Sequence, residues 1–202
     1  MLLKIYPENP NPKAVDKAVE VLRNGGILIY PTDTVYGIGC DMFQAKTVER
    51  VCQFKGIDPR KATFSIICYD LSQISAYAKV DNSIFKLLKR NLPGAFTFIL
   101  NGSNNLPKLF KGRKTIGIRM PDNSIIRAIV DALGHPIYTT SIKEANEVTE
   151  YETDPELLHL RYGDLAEMVI DGGFGDNTAS TVVDCTDVEP QIIRQGKQEL
   201  KL

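Results

Sequence analysis

Five groups of polar residues, each at the end of an apolar run, hold the side chains of this sequence that could carry out chemistry. In the first group, the apolar segment Ile27–Tyr30 stops at Pro31, and Thr32–Gly39 then places three hydroxyls and a carboxylate within five residues. Proline cannot donate to a sheet ladder and therefore ends the strand. Gly37 and Gly39 would let the backbone approach a ligand closely. Because ligands bind at the carboxyl ends of strands in open α/β sheets, this pattern predicts a binding loop.

The other four groups offer cations and hydroxyls. They are Lys55–Lys61, Gly117–Pro121, Tyr138–Ser141, and Asp171–Gly173 followed by Ala179–Asp184. The three cations of Lys55–Lys61 could hold phosphates. The alternative interpretation is that this segment is an ordinary solvated loop. Arg119 could fork onto a carboxylate or a phosphate, and a structural ion pair is the alternative. Together, such groups at successive strand exits predict a pocket for a polar ligand.

The elements that must position these groups alternate between helical and extended patterns of apolar residues. The predicted helices are 12–24, 44–54, 71–77, 82–90, 124–133 and 155–160. The predicted strands are 27–30, 63–68, 96–100, 115–119, 136–140, 168–170, 181–183 and 191–194. Because some predicted strands are adjacent in sequence, we expect a single α/β domain over residues 1–202, with a mixed parallel and antiparallel sheet and helices packed on it.

Composition excludes several broad classes of protein. The 202 residues are 43% apolar, and 24 basic against 25 acidic residues give a formal charge of −1, which excludes a globally cationic nucleic-acid binder but permits a local basic patch. The four cysteines, Cys40, Cys52, Cys68 and Cys185, form no CxxC pair, so we expect reduced, partly buried thiols, no metal site and a cytoplasmic location. No apolar stretch approaches a membrane span or a signal peptide.

The order of several sequence blocks resembles the YrdC-like superfamily, which includes TsaC, YrdC and YciO, and within it the YciO branch. These blocks are Pro31–Gly39, Lys55–Gly56, Pro93–Leu100, Gly117–Pro121, Thr140–Ser141, Ser180–Asp184 and Ile193–Gly196. The resemblance implies a twisted YrdC/RibB-like sheet with a concave, positively charged cavity. For TsaC and YrdC it implies that L-threonine, bicarbonate and ATP give threonylcarbamoyl-AMP and pyrophosphate, used to make threonylcarbamoyladenosine in tRNA. It also implies binding of double-stranded RNA.

The resemblance further implies roles for individual residues. Those for the amino acid and its carbamate are Thr34, Tyr36, Arg119, Ser180 and Thr181. Those for the nucleotide are Lys55, Arg60, Lys61, Ser141, Lys143 and Arg194, with Lys55 and Ser141 also catalytic. Magnesium would accompany ATP as substrate, held by phosphates and water, and no tightly bound cofactor is expected.

Two positions depart from the pattern of the catalytic branch, which reads Lys-x-Arg-Pro and Ser-x-Asn. Ile57 stands at the arginine position and Lys143 at the asparagine position. Loss of a guanidinium at a triphosphate site can cost several kcal/mol of transition-state stabilisation, unless Arg60, Lys61 or Lys143 replaces the charge. Two functions therefore stay open: a threonylcarbamoyl-AMP synthase, or a catalytically weak or inactive protein that binds tRNA, rRNA or a maturing ribosome.

Two basic groups flank the predicted strand 96–100 and are the candidates for RNA binding. They are Lys86, Lys89 and Arg90, and then Lys108, Lys111, Arg113 and Lys114. Clustered cations supply a sequence-independent attraction to phosphates, and double-stranded RNA is recognised largely by its shape and backbone. An ordinary solvated face is the alternative. A monomer and a homodimer are both compatible with the sequence.

Overall fold

Ten strands and seven helices make up the part of the chain that the computed structural model describes, residues 1–59, 62–112, 114–142 and 151–202. The strands are β1 (Leu2–Lys4), β2 (Ile27–Tyr30), β3 (Gly37–Asp41), β4 (Ser65–Ile67), β5 (Phe96–Asn101), β6 (Thr115–Arg119), β7 (Ile137–Ser141), β8 (Met168–Asp171), β9 (Thr181–Asp184) and β10 (Gln191–Arg194). The helices are α1 (Pro12–Arg23), α2 (Ala45–Phe54), α3 (Leu71–Tyr77), α4 (Asn82–Asn91), α5 (Lys108–Lys111), α6 (Ser124–Leu133) and α7 (Pro155–Tyr162). None of these helices is both long and apolar enough to cross a membrane.

Side-chain caps fix where several helices begin. The Asn11 side chain accepts from the Lys13 amide and Pro12 opens α1, while Asp81 and Asn123 cap α4 and α6 in the same way. These caps satisfy backbone N–H groups that have no partner within the helix. Helix α6 ends at Gly134, whose φ of 87° lies in the left-handed region that favours glycine.

The strands form one mixed sheet, as the sequence predicts. Their order is β1-β8-β2-β3-β7-β4-β6-β5-β9-β10. Parallel pairs join β1 and β2 to β8, β4 to β6, and β5 to β9, whereas the β2–β3, β3–β7, β4–β7, β5–β6 and β9–β10 pairs are antiparallel. The central strands therefore bring residues from the first, middle and last thirds of the chain side by side.

Strand β3 corrects the prediction that all of Thr32–Gly39 is a loop. Only the first part is irregular, because Gly37–Asp41 pairs with β2 on one side and β7 on the other. A Cβ on Gly39 would overlap the backbone carbonyl of Tyr138 and crowd the Tyr30 hydroxyl. These glycines permit close packing inside the sheet, so their physical role differs from the predicted approach to a ligand.

Two hydrophobic cores lie on opposite faces of the sheet. Residues of α2, α3, α4, α5 and α7 belong to the larger core, and residues of α1 and α6 to the smaller one. Ile67 and Ile137 belong to the core beneath α1 and α6. Two residues along the same strands, Ser65 and Thr139 share that face but line a cavity instead. Helices thus cover part of this face, and the rest forms the floor of the cavity.

The four cysteines are all free and buried. Burial raises the pKa of Cys185 to about 12, so its thiol stays protonated at neutral pH. This agrees with the predicted reduced, buried thiols.

Candidate functional site

A cavity of about 330 Å³ lies over the central strands on the face that the helices leave uncovered. Its size is at the lower end of the range for pockets that hold small molecules. The lining residues from the five predicted groups are Thr34, Val35, Gly117, Arg119, Thr139, Thr140, Ser141, Ala179, Ser180 and Val182, and the predicted Arg194 lines the cavity as well. Six strands contribute to this lining and hold the site in place, namely β4, β5, β6, β7, β9 and the end of β10.

Arg119, the last residue of β6, is the charged group most deeply placed in this cavity. It is 9% exposed, and its Nη2 donates to Thr34 Oγ1 at 3.0 Å and to Asp33 Oδ1 at 3.3 Å. Burial lowers the pKa of Arg119 from its usual value, although Asp33 opposes that shift. Its buried Nε has no hydrogen-bond partner among the described residues. A guanidinium can bind a carboxylate with two parallel bonds, so Arg119 is the group of this lining best suited to an anion.

The turn that follows Pro31 fixes Thr34 beside Arg119. The Thr32 hydroxyl donates to the Val35 carbonyl at 2.8 Å and accepts from the Thr34 amide at 3.0 Å. Such local side-chain bonds to the backbone hold a turn in one conformation. Asp33 also accepts from the Asp122 amide at 2.9 Å. The partner of the arginine is therefore itself held in place.

A second wall carries hydroxyls from β5 and the start of β9. Ser180 Oγ lies 2.9 Å from Thr97 Oγ1, and Arg194 donates to the Ser180 carbonyl at 2.8 Å from Nη2 and 3.2 Å from Nε. Arg194 Nη2 also lies 3.4 Å from Ser180 Oγ. The cavity thus has a cation at each of two walls, with hydroxyls between them.

Lys55 and Ser141 meet near the end of β7. The Lys55 ammonium donates to the Ser141 carbonyl at 3.1 Å, and Lys55 is 8% exposed. Ser141 lines the cavity, whereas Lys55 lies outside its lining and contacts it through Ser141. Ile57, two residues further on, is 40% exposed and contributes no charge.

The hydroxyls of Tyr36 and Thr181 are bonded away from the cavity. Tyr36 donates to the Gly173 carbonyl at 2.7 Å, and burial raises its pKa to about 12. Thr181 donates to the Gln198 carbonyl and accepts from the Gly196 amide at 3.0 Å. The structure does not bring these two predicted substrate-binding side chains to the lining of the cavity.

The other predicted residues fall into two sets, those outside the described residues and those exposed on the surface. Arg60, Lys61, Lys143 and Arg113 lie outside the described residues, as does the side chain of Lys111. The side chains of Lys86, Lys89 and Arg90 on α4, and of Lys108 and Lys114, are exposed. The described members of the two basic groups therefore face solvent.

Sequence reasoning missed the strand residues that form the floor of the cavity. Thr97 and Ile99 of β5 line it, and they alternate with Phe96 and Phe98, which are fully buried in the larger core. A strand with a period of two places alternate residues on opposite faces, so the alternation of this segment could have identified them. An apolar run alone does not separate the two faces.

Three comparisons with known proteins agree with this architecture. The family profile named Sua5/YciO/YrdC, described as "Telomere recombination", matches residues 20–196. The uncharacterized protein YciO of Escherichia coli is 40% identical over 200 residues, covering 98% of this chain and 96% of that protein. Its crystal structure superposes with a TM-score of 0.91, covering 98% and 97% of the two chains.

More distant relatives have names that state an activity or a ligand. A putative threonylcarbamoyl-AMP synthase of Methanocaldococcus jannaschii is 31% identical over 201 residues, 96% of this chain and 92% of that protein. The crystal structure of P. abyssi Sua5 complexed with L-threonine is 26% identical, with a TM-score of 0.86 over 97% of this chain and 57% of that one.

Proposed function

This chain belongs to the Sua5/YciO/YrdC family, and from that premise we propose that its cavity binds L-threonine and converts it, with bicarbonate and ATP, into threonylcarbamoyl-AMP. The product would serve threonylcarbamoyladenosine synthesis in tRNA in the cytoplasm. The observation that carries the proposal is the buried guanidinium of Arg119, whose Nε lacks a partner among the described residues. The synthase name of the M. jannaschii relative and the threonine complex of P. abyssi Sua5 support it.

The amino acid would bind with its carboxylate at Arg119. The guanidinium is already oriented by Asp33 and Thr34, so little side-chain freedom is lost when the ligand binds. The hydroxyls of Ser180 and Thr97 on the second wall would receive the polar end of the ligand. A cavity of about 330 Å³ is large enough for an amino acid together with part of a nucleotide.

The proposed reaction forms two bonds. The amine of threonine attacks the carbon of bicarbonate to form a carbamate with loss of water, and a carbamate oxygen then attacks the α-phosphorus of ATP. The bond from that phosphorus to the bridging oxygen breaks, and pyrophosphate leaves. Both steps develop negative charge on oxygen, which preorganised cations and hydroxyl dipoles stabilise. Lys55 and Ser141 near the end of β7, and Arg194 beside Ser180, are the described groups that would stabilise this charge.

Magnesium is expected to enter with ATP as part of the substrate. Within the described residues no three His, Cys, Asp or Glu side chains are grouped so that they could hold a metal ion. Phosphates and water would then provide most of its ligands, as is usual for Mg²⁺ with nucleotides.

The test supplies purified protein with L-threonine, bicarbonate and Mg-ATP, without RNA. We expect threonine-dependent release of pyrophosphate and a threonylcarbamoyl-AMP peak in mass spectrometry. The Arg119→Lys variant should lose both signals, while Arg127→Lys, a matched change in a partly buried arginine on α6, should keep them. Wild-type protein that neither forms product nor binds L-threonine would contradict the proposal.

A second candidate function is binding of double-stranded RNA or tRNA. It is favoured by helix α4, which has one buried apolar side and one exposed basic side. Ile84, Leu87 and Leu88 are buried in the larger core, whereas the side chains of Lys86, Lys89 and Arg90 are exposed. Contacts of this kind to phosphates weaken steeply with salt. Salt-sensitive binding of duplex RNA that is lost in a Lys86→Glu, Lys89→Glu double variant would support this candidate, and unchanged binding would contradict it.

A further inference from the structure

The carboxyl-terminal residues 194–198 join the two walls of the cavity through one side chain. The backbone of this segment is bound to the second wall, because Gly196 N donates to Thr181 Oγ1 at 3.0 Å and Lys197 N donates to the Ala179 carbonyl at 2.9 Å. The side chain of Gln198 accepts from the Ala95 amide at 3.0 Å. The segment is thereby fixed beside Ser180.

From this anchored segment the side chain of Lys197 reaches the wall that holds Arg119. Its Nζ donates to the Asp33 carbonyl at 2.7 Å and forms an ion pair with Asp176 Oδ2 at 2.8 Å. Asp176 in turn donates its amide to the Thr34 carbonyl at 3.2 Å. Lys197 therefore contacts, directly or through Asp176, the two residues that orient the Arg119 guanidinium.

We propose that Lys197 is a positioning residue for amino-acid recognition, which holds Asp33 and Thr34 so that they keep the Arg119 guanidinium oriented for the ligand carboxylate. This inference rests on the proposed function of the cavity. Lys197 acts through Asp33 and does not line the cavity itself. It determines how well the arginine is preorganised, so its loss weakens ligand binding without removing a ligand contact.

The size of the effect follows from the exposure of the ion pair. The side chains of Lys197 and Asp176 are 43% and 31% exposed, so solvent screens their attraction. The bond from Lys197 lowers the pKa of Asp176, which keeps the carboxylate charged at neutral pH. We expect Lys197→Met to weaken L-threonine affinity about threefold to tenfold, far less than a change of Arg119 itself.

The experiment compares wild type, Lys197→Met, Lys197→Arg and Lys201→Met, the last being a matched control at an exposed lysine of the same terminal stretch. L-Threonine affinity is measured by calorimetry at low and high NaCl. Lys197→Met should bind more weakly and show a smaller salt dependence than wild type, Lys197→Arg should recover most of the affinity, and Lys201→Met should match wild type. Equal affinities for Lys197→Met and wild type would overturn the inference.

A second readout needs no ligand. Hydrogen exchange of the Asp176 and Asp122 amides, which bond to Thr34 and Asp33, reports whether the turn is held. We expect both amides to exchange faster in Lys197→Met and at the wild-type rate in Lys201→Met. If wild-type protein fails to bind L-threonine, the proposed function fails, and these exchange rates still decide whether Lys197 holds the turn. Unchanged rates in Lys197→Met would contradict the positioning role.

Discussion

The cavity has a proposed amino-acid end and a proposed nucleotide end, which differ in how well their charged side chains are held in place. At the amino-acid end, Arg119 is buried and bonded to Asp33 and Thr34, and Ser180 faces it with a bonded hydroxyl. At the nucleotide end, Lys55 contacts the cavity through the Ser141 carbonyl, and Ile57 stands exposed where catalytic relatives are expected to have arginine. The difference teaches that, in the proposed function, recognition of a carboxylate and activation of a triphosphate would depend on separate groups.

The largest expected effect is at the amino-acid end, in Arg119→Lys. An ammonium lacks the planar fork with which a guanidinium binds a carboxylate through two parallel bonds, so we expect L-threonine affinity to fall about 100-fold, near 3 kcal/mol. Titration calorimetry measures this loss, with Arg127→Lys as control. A fall of less than about threefold would show that the guanidinium is a structural ion pair and that the amino-acid end is not built for a ligand.

Gly39→Ala tests whether the two ends are mechanically independent. Strand β3 follows the Thr34 turn and pairs with β7, where Gly37 lies opposite Ser141. An added Cβ would overlap the Tyr138 carbonyl, so we expect a loss of about 2 kcal/mol in the free energy of unfolding and weaker binding at both ends.

The matched control for Gly39→Ala is Gly112→Ala. A methyl group added at Gly112 would meet open space, and the backbone there has an ordinary negative φ of −68°, so the change should be close to neutral. Urea unfolding gives the stability difference, and separate titrations with L-threonine and ATP give the two affinities. A Gly39→Ala variant that loses only one affinity would sharpen the division between the ends.

Ile57→Arg restores the missing cation at the nucleotide end. Because Ile57 is 40% exposed, the change should leave the fold intact. We expect kcat/KM for ATP in pyrophosphate release to rise about tenfold, near 1.4 kcal/mol, while L-threonine affinity stays the same. Phe85→Arg, at a similarly exposed apolar residue on α4, controls for added charge. If kcat/KM for Ile57→Arg is no higher than for Phe85→Arg, the missing arginine at position 57 does not limit the use of ATP.

The smallest effect is expected for Tyr36→Phe. Because its hydroxyl donates to the Gly173 carbonyl, removal should cost about 1 kcal/mol of unfolding free energy and leave L-threonine affinity unchanged. Its pKa is raised to about 12 in the fold, against about 10 unfolded, so this hydroxyl's contribution is complete below pH 10 and is lost as pH rises toward 12. Urea unfolding at pH 7 tests the variant. A loss of L-threonine affinity in Tyr36→Phe would show that the Tyr36 hydroxyl takes part in amino-acid binding.

Much of the fold could be predicted because its elements are periodic and capped. The mixed sheet and all helices of seven residues or more correspond to predicted segments. Strand β1 and helix α5 have no counterpart among the predicted segments. Strand β3 resembles a loop in sequence because glycine usually weakens strands, and only the facing carbonyl of Tyr138 shows why glycine is required there.

The presence of Thr34, Arg119 and Ser180 in the cavity lining was predictable, because each is a polar residue next to the end of an apolar run. The site was not predictable where a side chain turns away from its expected partner. Thr181 adjoins Ser180 in sequence, yet it is the first residue of β9, and its hydroxyl faces the 194–198 segment. Lys197 shows the converse, because its partner Asp33 lies 164 residues away in the chain. No local pattern encodes such a contact.

The separation of Asp33 and Lys197 in the chain affects when the cavity can form during synthesis. Lys197 and Asp33 are 164 residues apart, so the turn with Thr34 is synthesised well before the wall with Ser180 and the anchoring residues 194–198. Closing such long loops makes folding slow, because their entropy is lost before the contacts form. A ligand held between these walls can stabilise the chain only when both walls have been made and brought together. Binding in the cavity would therefore give no help to a nascent polypeptide that still lacks the second wall.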